Sequence, residues 1–180
     1  MQKHPHFFWE DLFKIGRGET GVIEVLKQNV LFKTLTRREL RYLSHFVYER
    51  TYQPDEAIFK QGDRGLGMYV IARGLITIST ESPHGDNLVT TLGAGSFFGE
   101  VALVDQENLR TATAVATERT VLVGFFKPDL TEILQRKPAM GVKILYQLSS
   151  VLARRLLETT EKITLITRAR KMAQIHEDAS

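Results

Sequence analysis

The spacing of apolar residues changes along the chain, and the first part has helical spacing. Glu10–Ile15 is a short amphipathic stretch, and a helix is predicted through Glu24–Lys27. The residues Thr36-Arg37-Arg38-Glu39 have the spacing of a capping box, so a second helix should begin at Thr36. The apolar face of this second helix is formed by Leu40, Leu43 and Val47.

From Thr51 the apolar residues recur at every second position, which is typical of half-buried strands. Gly-Asp, Arg-Gly and Ser-Pro-His-Gly-Asp-Asn separate these short runs at close intervals. The pattern indicates an antiparallel barrel or sandwich. The predicted strands are Ala57–Lys60, Met68–Ala72, Leu75–Thr80, Leu88–Leu92, Thr113–Ala116 and Thr120–Phe125.

The C-terminal part returns to helical spacing. Pro128 suits the first turn of a short helix that ends near Arg136, and Pro138 opens a much longer one without Gly or Pro after Val142. A helix of this length has more apolar surface than one small barrel can cover, so we expect it to pair with the same helix of a second chain, as a homodimer. Its recurring positions are Leu145, Leu148, Leu152, Thr159, Ile163 and Ile166.

Composition narrows the class of protein. The 180 residues fit one domain, with 43% hydrophobic and 25% charged residues. No apolar run is long enough to span a bilayer, and the N-terminus does not resemble a signal peptide, so we expect a cytoplasmic protein. The absence of cysteine excludes disulfides, thiolate-held iron–sulfur clusters and thiolate-ligated haem. The net charge of +3 does not by itself imply nucleic acid.

The most informative chemistry lies between Gly95 and Val115. Glu100 stands on a Gly-led turn, and Arg110 follows ten residues later. The planar guanidinium of Arg110 can grip phosphate oxygens, while the Glu100 carboxylate can accept a hydrogen bond from a sugar hydroxyl. Gly99 lets the backbone approach closely. The segment therefore suits a small ligand with one phosphate charge and at least one hydroxyl.

The residues Phe98-Gly99-Glu100-Val101-Ala102-Leu103, followed by Arg110-Thr111-Ala112, resemble the phosphate-binding cassette of the cyclic nucleotide-binding domain family. The resemblance covers roughly residues 30–165. It implies a mainly β fold, a jelly-roll-like antiparallel barrel with N-terminal helices and a long C-terminal dimerisation helix. The ligand-binding residues that it implies in the cassette are Gly99, Glu100, Val101, Ala102, Arg110, Thr111 and Ala112.

Two further groups of ligand contacts are expected. Leu148–Leu165 looks like the dimer helix of bacterial activators in this family. The resemblance implies that Thr159 meets the base in its own subunit and that Thr160 reaches the ligand of the partner subunit. Val89 and Thr90 are expected on a strand beneath the base or sugar, although residues at such positions more commonly belong to the core than contact a ligand specifically.

These observations predict a domain organisation and a function. Residues 1–28 form a helical leader, 29–137 the binding barrel, 138–175 the long helix and 176–180 a tail. The activators place a helix-turn-helix after the long helix, and residues 172–180 are too few to supply one. We therefore expect a stand-alone sensor of a cyclic nucleotide, most readily cyclic AMP, whose C-terminal helix moves on binding. An enzyme is not expected, because no catalytic constellation or P-loop is visible.

Several alternatives are open at this point. Thr111 is a residue with which relatives often favour cyclic GMP, and the barrel could instead act as a protein-interaction scaffold for an unidentified downstream protein. Nucleic-acid binding through the basic end at Arg168, Arg170 and Lys171 is the weakest option. Gly16, Gly18 and Gly21 spell a dinucleotide-binding motif without the required strand, and the five histidines have no metal-ligand spacing.

Overall fold

The computed structural model describes residues 19–81, 88–107 and 109–177. The predicted amphipathic stretch Glu10–Ile15 lies outside these ranges, as do Gly16 and Gly18. Gly21 lies within a helix, not at a strand-to-helix turn. Within the described residues no helix is both long and apolar enough to cross a membrane.

In the described part of the chain, eight strands form two antiparallel four-stranded sheets, which confirms the predicted mainly β, jelly-roll-like fold. The sheets pack on each other but do not close into a barrel. Their strand orders are β1-β8-β3-β6 and β2-β7-β4-β5. The strands are β1 Val47–Tyr52, β2 Ala57–Phe59, β3 Gly67–Arg73, β4 Ile76–Thr80, β5 Leu88–Leu92, β6 Phe97–Phe98, β7 Thr113–Ala116 and β8 Thr120–Phe126.

One prediction at the start of the sheets is wrong. Val47 does not continue the helical face of Leu40 and Leu43 but begins β1, which pairs with β8 from Val47↔Phe125 to Tyr52↔Thr120. The residues from Val47 to Tyr52 are rich in β-branched and aromatic side chains, which fit a pleated surface. The pairing of this whole strand with β8 therefore determines its structure, although the spacing of Val47 from Leu43 would also fit a helix.

Among the described residues, four α-helices flank the sheets: α1 Glu19–Gln28, α2 Arg37–Leu43, α3 Lys127–Arg136 and α4 Pro138–Glu177. The N-cap of α2 is Thr36, and the capping box is present: the Thr36 amide donates to Glu39 Oε2 at 2.7 Å, and the Glu39 amide donates to Thr36 Oγ1 at 3.3 Å. The predicted start of this helix is confirmed.

The first part of the long helix α4 is packed into the hydrophobic core. Met140, Ile144 and Leu148 are buried in the core cluster that also contains α1, α2 and the outer side of one sheet. Beyond that cluster the apolar side chains of α4 are exposed, with Leu156 at 68% and Ile163 at 59%. The helix thus leaves the domain with its apolar face uncovered by the described residues of its own chain.

Ile144 tests how strongly α4 is held to the core. Ile144→Ala should lower the free energy of unfolding by about 2–5 kcal/mol, because it leaves a cavity at a side chain that is 1% exposed. Urea denaturation followed by circular dichroism measures this loss. Val142→Ala is the matched control on the exposed side of the same helix and should change stability by less than about 0.5 kcal/mol. Equal effects of the two substitutions would contradict this account of the anchor.

Candidate functional site

A cavity of about 240 Å³ lies where the Glu100 turn, the segment Leu109–Ala112 and strands β4 and β5 meet. Its walls are largely apolar side chains, among them Phe59, Ile78 and Leu92. The structure brings eight of the sequence-predicted site residues to this cavity: Thr90, Gly99, Glu100, Val101, Ala102, Arg110, Thr111 and Ala112.

Arg110 is buried in the wall of this cavity, with only 7% of its surface exposed. Its backbone is fixed on both sides, since the Arg110 amide donates to the Asp63 carbonyl at 2.8 Å and the Gly62 amide donates to the Arg110 carbonyl at 2.9 Å. The guanidinium carbon lies 4.0 Å from the centre of the Phe59 ring, and Nη1 donates to the Gly99 carbonyl at 3.1 Å. These contacts hold the guanidinium in one place before any ligand arrives.

Two glycines make room for this guanidinium. A Cβ atom at Gly65 would overlap Nε and Cζ of Arg110, and one at Gly99 would lie 2.6 Å from Nη1. Gly99 also has a positive φ of 73°, which side-chain-bearing residues rarely adopt. The guanidinium thus lies in a narrow space bounded by Gly65, Gly99 and the Phe59 ring.

The positive charge of Arg110 has no acidic partner in the described part of the chain. No carboxylate there lies within ion-pair distance of its guanidinium, and Nε has no hydrogen-bond partner. Burial lowers the pKa of Arg110, and the more distant Tyr69, Glu100 and Asp63 offset that effect only in part. A buried cation without a partner is costly, so this wall of the cavity is prepared for an anion.

Glu100 provides the opposite charge and is also buried, at 3% exposure. It begins the short 3-10 helix Glu100–Leu103, directly after Gly99. Its Oε1 accepts a hydrogen bond from Arg155 Nη1 of α4 at 2.5 Å, and the Arg155 guanidinium also lies over the Phe97 ring. The cavity therefore contains one carboxylate, which is bound directly to the long helix.

Sequence reasoning missed Arg155. It lies seven residues after Leu148, so two helical turns place it on the same face as that core residue. This spacing was the available signal, but a charged residue at the end of an apolar face is usually solvated. Only the docking of α4 beside Glu100 reveals that Arg155 lines the cavity.

Three predicted residues do not line the cavity. Val89 is 62% exposed, whereas its neighbour Thr90 lies on the other face of β5 and borders the cavity. Thr159 and Thr160 are exposed on α4, where their hydroxyls donate to the carbonyls of Arg155 at 2.8 Å and Leu156 at 2.9 Å. Within one chain these two hydroxyls are occupied by their own helix.

The lining residues allow binding more readily than catalysis. They comprise apolar walls, two arginines, one carboxylate and two threonines, without a histidine, lysine or serine. Among the residues that the structure describes, no group of three or more His, Cys, Asp or Glu is placed to hold a metal ion. The arrangement fits a small anion that also carries a hydroxyl.

Comparison with known proteins gives the family of this fold. Residues 49–137 match the family described as Cyclic nucleotide-binding domain. The Cyclic AMP receptor protein of Thermus thermophilus is 32% identical over 143 residues, which are 79% of this chain and 64% of that protein. The crystal structure of Thermus thermophilus Catabolite Activator Protein matches with a TM-score of 0.69 and 32% identity, over 77% of this chain and 63% of that one.

A further solved structure, of cAMP-bound PfPKA-R, matches with a TM-score of 0.59 and 25% identity, over 71% of this chain and 46% of that one. This chain thus spans less than two thirds of each of these three proteins. The names of two of them specify cyclic AMP. The family match over residues 49–137 includes every residue that lines the cavity except Arg155.

Replacing the buried cation tests whether it is costly in the free protein. Arg110→Met keeps the packing on Phe59 and removes the charge, so the free energy of unfolding without ligand should rise by about 1–2 kcal/mol. The Gly99 carbonyl still accepts a hydrogen bond from the Ala102 amide. Urea denaturation measures the change, with exposed Arg119→Met as the control that should have little effect. A clear loss of stability in Arg110→Met would show that the guanidinium stabilises the free protein.

Proposed function

Residues 49–137 place the chain in the cyclic nucleotide-binding domain family, and from this premise we propose that it senses cyclic AMP through the cavity around Arg110. The observation that carries the proposal is the buried Arg110 guanidinium, fixed beside an apolar cavity without a carboxylate partner among the described residues. A cyclic phosphodiester supplies the missing single negative charge. The relatives named for cyclic AMP support this choice of ligand.

The ligand's groups find complementary partners in the cavity. Two phosphate oxygens can each accept from the Arg110 guanidinium, while the ribose 2′-hydroxyl donates to Glu100. Oε1 of Glu100 is taken by Arg155, and Oε2 accepts the hydroxyl. The base then lies against the apolar wall, near Thr90 and Thr111. The function is therefore binding, since the ligand meets no group placed to attack it.

Ligand binding is coupled to the long helix because the Glu100 carboxylate contacts both the ligand and Arg155. Because Arg155 belongs to α4, any change at Glu100 on ligand binding alters one of the contacts that hold this helix beside the cavity. A ligand shifts a helix position only by its difference in affinity for the two positions. In this proposal the hydroxyl at Glu100 and the phosphate at Arg110 supply that difference, and α4 changes position in response.

The second half of α4 is proposed to form a homodimer. Leu152, Leu156, Thr159, Ile163 and Ile166 alternate at four- and three-residue intervals, which is the seam of a two-stranded coiled coil. Leu156, Ile163 and Ile166 are more than half exposed. A second copy of the helix covers this seam, and it brings a Thr160 hydroxyl toward the neighbouring subunit's ligand.

Arg110→Ala should weaken the binding of cyclic AMP by about 2–5 kcal/mol, because the buried phosphate loses its partner. This corresponds to a roughly 30- to 5,000-fold higher dissociation constant in calorimetry. Arg110→Lys should also bind weakly, since one ammonium does not replace the planar fork. Arg119→Ala, at an exposed arginine outside the cavity, should bind like the wild type.

Calorimetric titration of the wild type with cyclic AMP and with cyclic GMP distinguishes the two nucleotides as ligands. Tighter binding of cyclic GMP than of cyclic AMP would assign the guanine-specific role to Thr111, which borders the cavity. Binding of neither nucleotide by the wild type, or unchanged binding by Arg110→Ala, would overturn the proposed function.

The dimer seam is tested by the double variant Leu156→Ser, Ile163→Ser. Loss of two large apolar side chains from the seam should convert the protein to a monomer in sedimentation velocity. The control is Arg154→Ser, Glu161→Ser, which lies on another face of the same helix, is exposed and leaves the net charge unchanged. A wild-type monomer, or a control that also dissociates, would contradict the proposed seam.

A further inference from the structure

A second cavity, of about 720 Å³, has a lining that shares no residue with the first. It is bordered by α2 and by the junction of α3 and α4. We propose that this basic groove is a docking site for an acidic peptide segment of a partner protein. The basic groove is defined by Arg38, Arg41, Arg136 and Lys137 on its rim and Tyr42 and Met140 on its floor.

The rim is positively charged from two sides. Arg38 and Arg41 are exposed on successive turns of α2, and Arg136 and Lys137 are exposed at the end of α3. Arg136 has an ion pair with Glu132 of its own helix at 3.1 Å, an exposed contact that contributes little. Within the described residues Arg38 and Arg41 have no ion pair. Four cations thus surround a space that a single peptide can occupy.

The one carboxylate in the lining does not neutralise this rim. Glu39 Oε2 accepts hydrogen bonds from the amide and hydroxyl of Thr36, and Lys143 Nζ lies 2.8 Å from Oε1 and 3.0 Å from Oε2. Burial raises the pKa of Glu39, but the bonds from Lys143 and Thr36 outweigh it, so the pKa lies below its ordinary value. The Glu39 carboxylate is therefore bound to the α2 cap and to Lys143, and it has no ion pair with any of the four rim cations.

The junction of α3 and α4 lies beside the N-terminus of a long helix. Arg136 and Lys137 immediately precede Pro138, the first residue of the forty-residue helix α4, and the first turn of α4 contains no acidic residue. The dipole of α4 attracts an anion at this end, while Arg136, in the last turn of α3, is favourably placed for the dipole of that helix. Carboxylates bound between the two rims meet this end of α4 and relieve the repulsion among the rim cations.

The floor favours a peptide over a nucleic acid. Tyr42 is half-buried, Met140 is buried, and Pro138 adds an exposed apolar edge, so the floor can hold an aliphatic side chain between two carboxylates. A nucleic-acid backbone instead needs a longer basic stripe. The volume of the groove lies in the range of sites that enclose a compact ligand, which suits a short peptide segment.

Fluorescence anisotropy of the full chain tests the proposal with a labelled ten-residue peptide of alternating glutamate and leucine. We expect binding in low salt that weakens strongly in high salt, because the rim is exposed and screened. Arg38→Gln, Arg41→Gln should weaken binding by at least about tenfold, since two rim cations are lost. The control Arg73→Gln, Arg119→Gln removes two exposed arginines outside the groove and should keep wild-type affinity.

A second variant, Arg136→Gln, Lys137→Gln, tests the opposite rim and should cause a similar loss. Both groove variants should keep the melting temperature and the cyclic AMP affinity of the wild type, which separates this proposal from the function of the first cavity. Failure of the peptide to bind, an equal loss in the control, equal binding of a lysine–leucine peptide, or stronger competition by a single-stranded DNA of equal charge would each overturn it.

Discussion

The buried guanidinium of Arg110 is the constraint on which the rest of the site depends. Folding removes this cation from water without giving it a carboxylate among the described residues, so its cost must be offset by weaker contacts. The Phe59 ring and the Gly99 carbonyl supply these contacts. Gly65 and Gly99 are glycines for the same reason, because a Cβ atom at either position would occupy the space of the guanidinium.

Glu100 connects this constraint to the long helix. Its carboxylate faces the cavity, and Arg155 reaches it from α4, while the same guanidinium lies over the ring of Phe97. The apolar anchors of α4, Met140, Ile144 and Leu148, hold the helix to the core independently of the cavity. The domain thus fixes the beginning of α4 by packing and its middle by a polar contact at the site itself.

Much of this arrangement was predictable from the sequence. The Thr36 capping box depends on neighbours in sequence and is confirmed. Two-residue periodicity predicted six of the eight described strands and missed β1 and β6. The residues 99–102 and 109–112 line one cavity because both belong to a single excursion between two strands. Sequence patterns predict a structure reliably where that structure is formed by residues close together in the chain.

The remainder depends on contacts that no local pattern contains. Periodicity places Val89 and Thr90 on opposite faces of β5, but only sheet packing decides which of the two faces the cavity. Strand β6 is two residues long and therefore has no detectable period. Arg155 joins the cavity only through the docking of α4. Thr159, expected to meet the base in its own subunit, does not line the cavity, and the role expected for Thr160 requires a second chain.

Helix α4 extends far beyond its last buried anchor, so its far end is sensitive to small displacements near the cavity. Leu148, the last fully buried anchor, is about 10 Å along the helix axis from Arg155 and about 43 Å from Glu177, at 1.5 Å per residue. If the helix pivots at Leu148 as a stiff rod, a displacement of 1 Å at Arg155 becomes about 4 Å at its far end. With such a pivot, a small adjustment around one carboxylate would become a displacement of several ångströms at the far end of the helix.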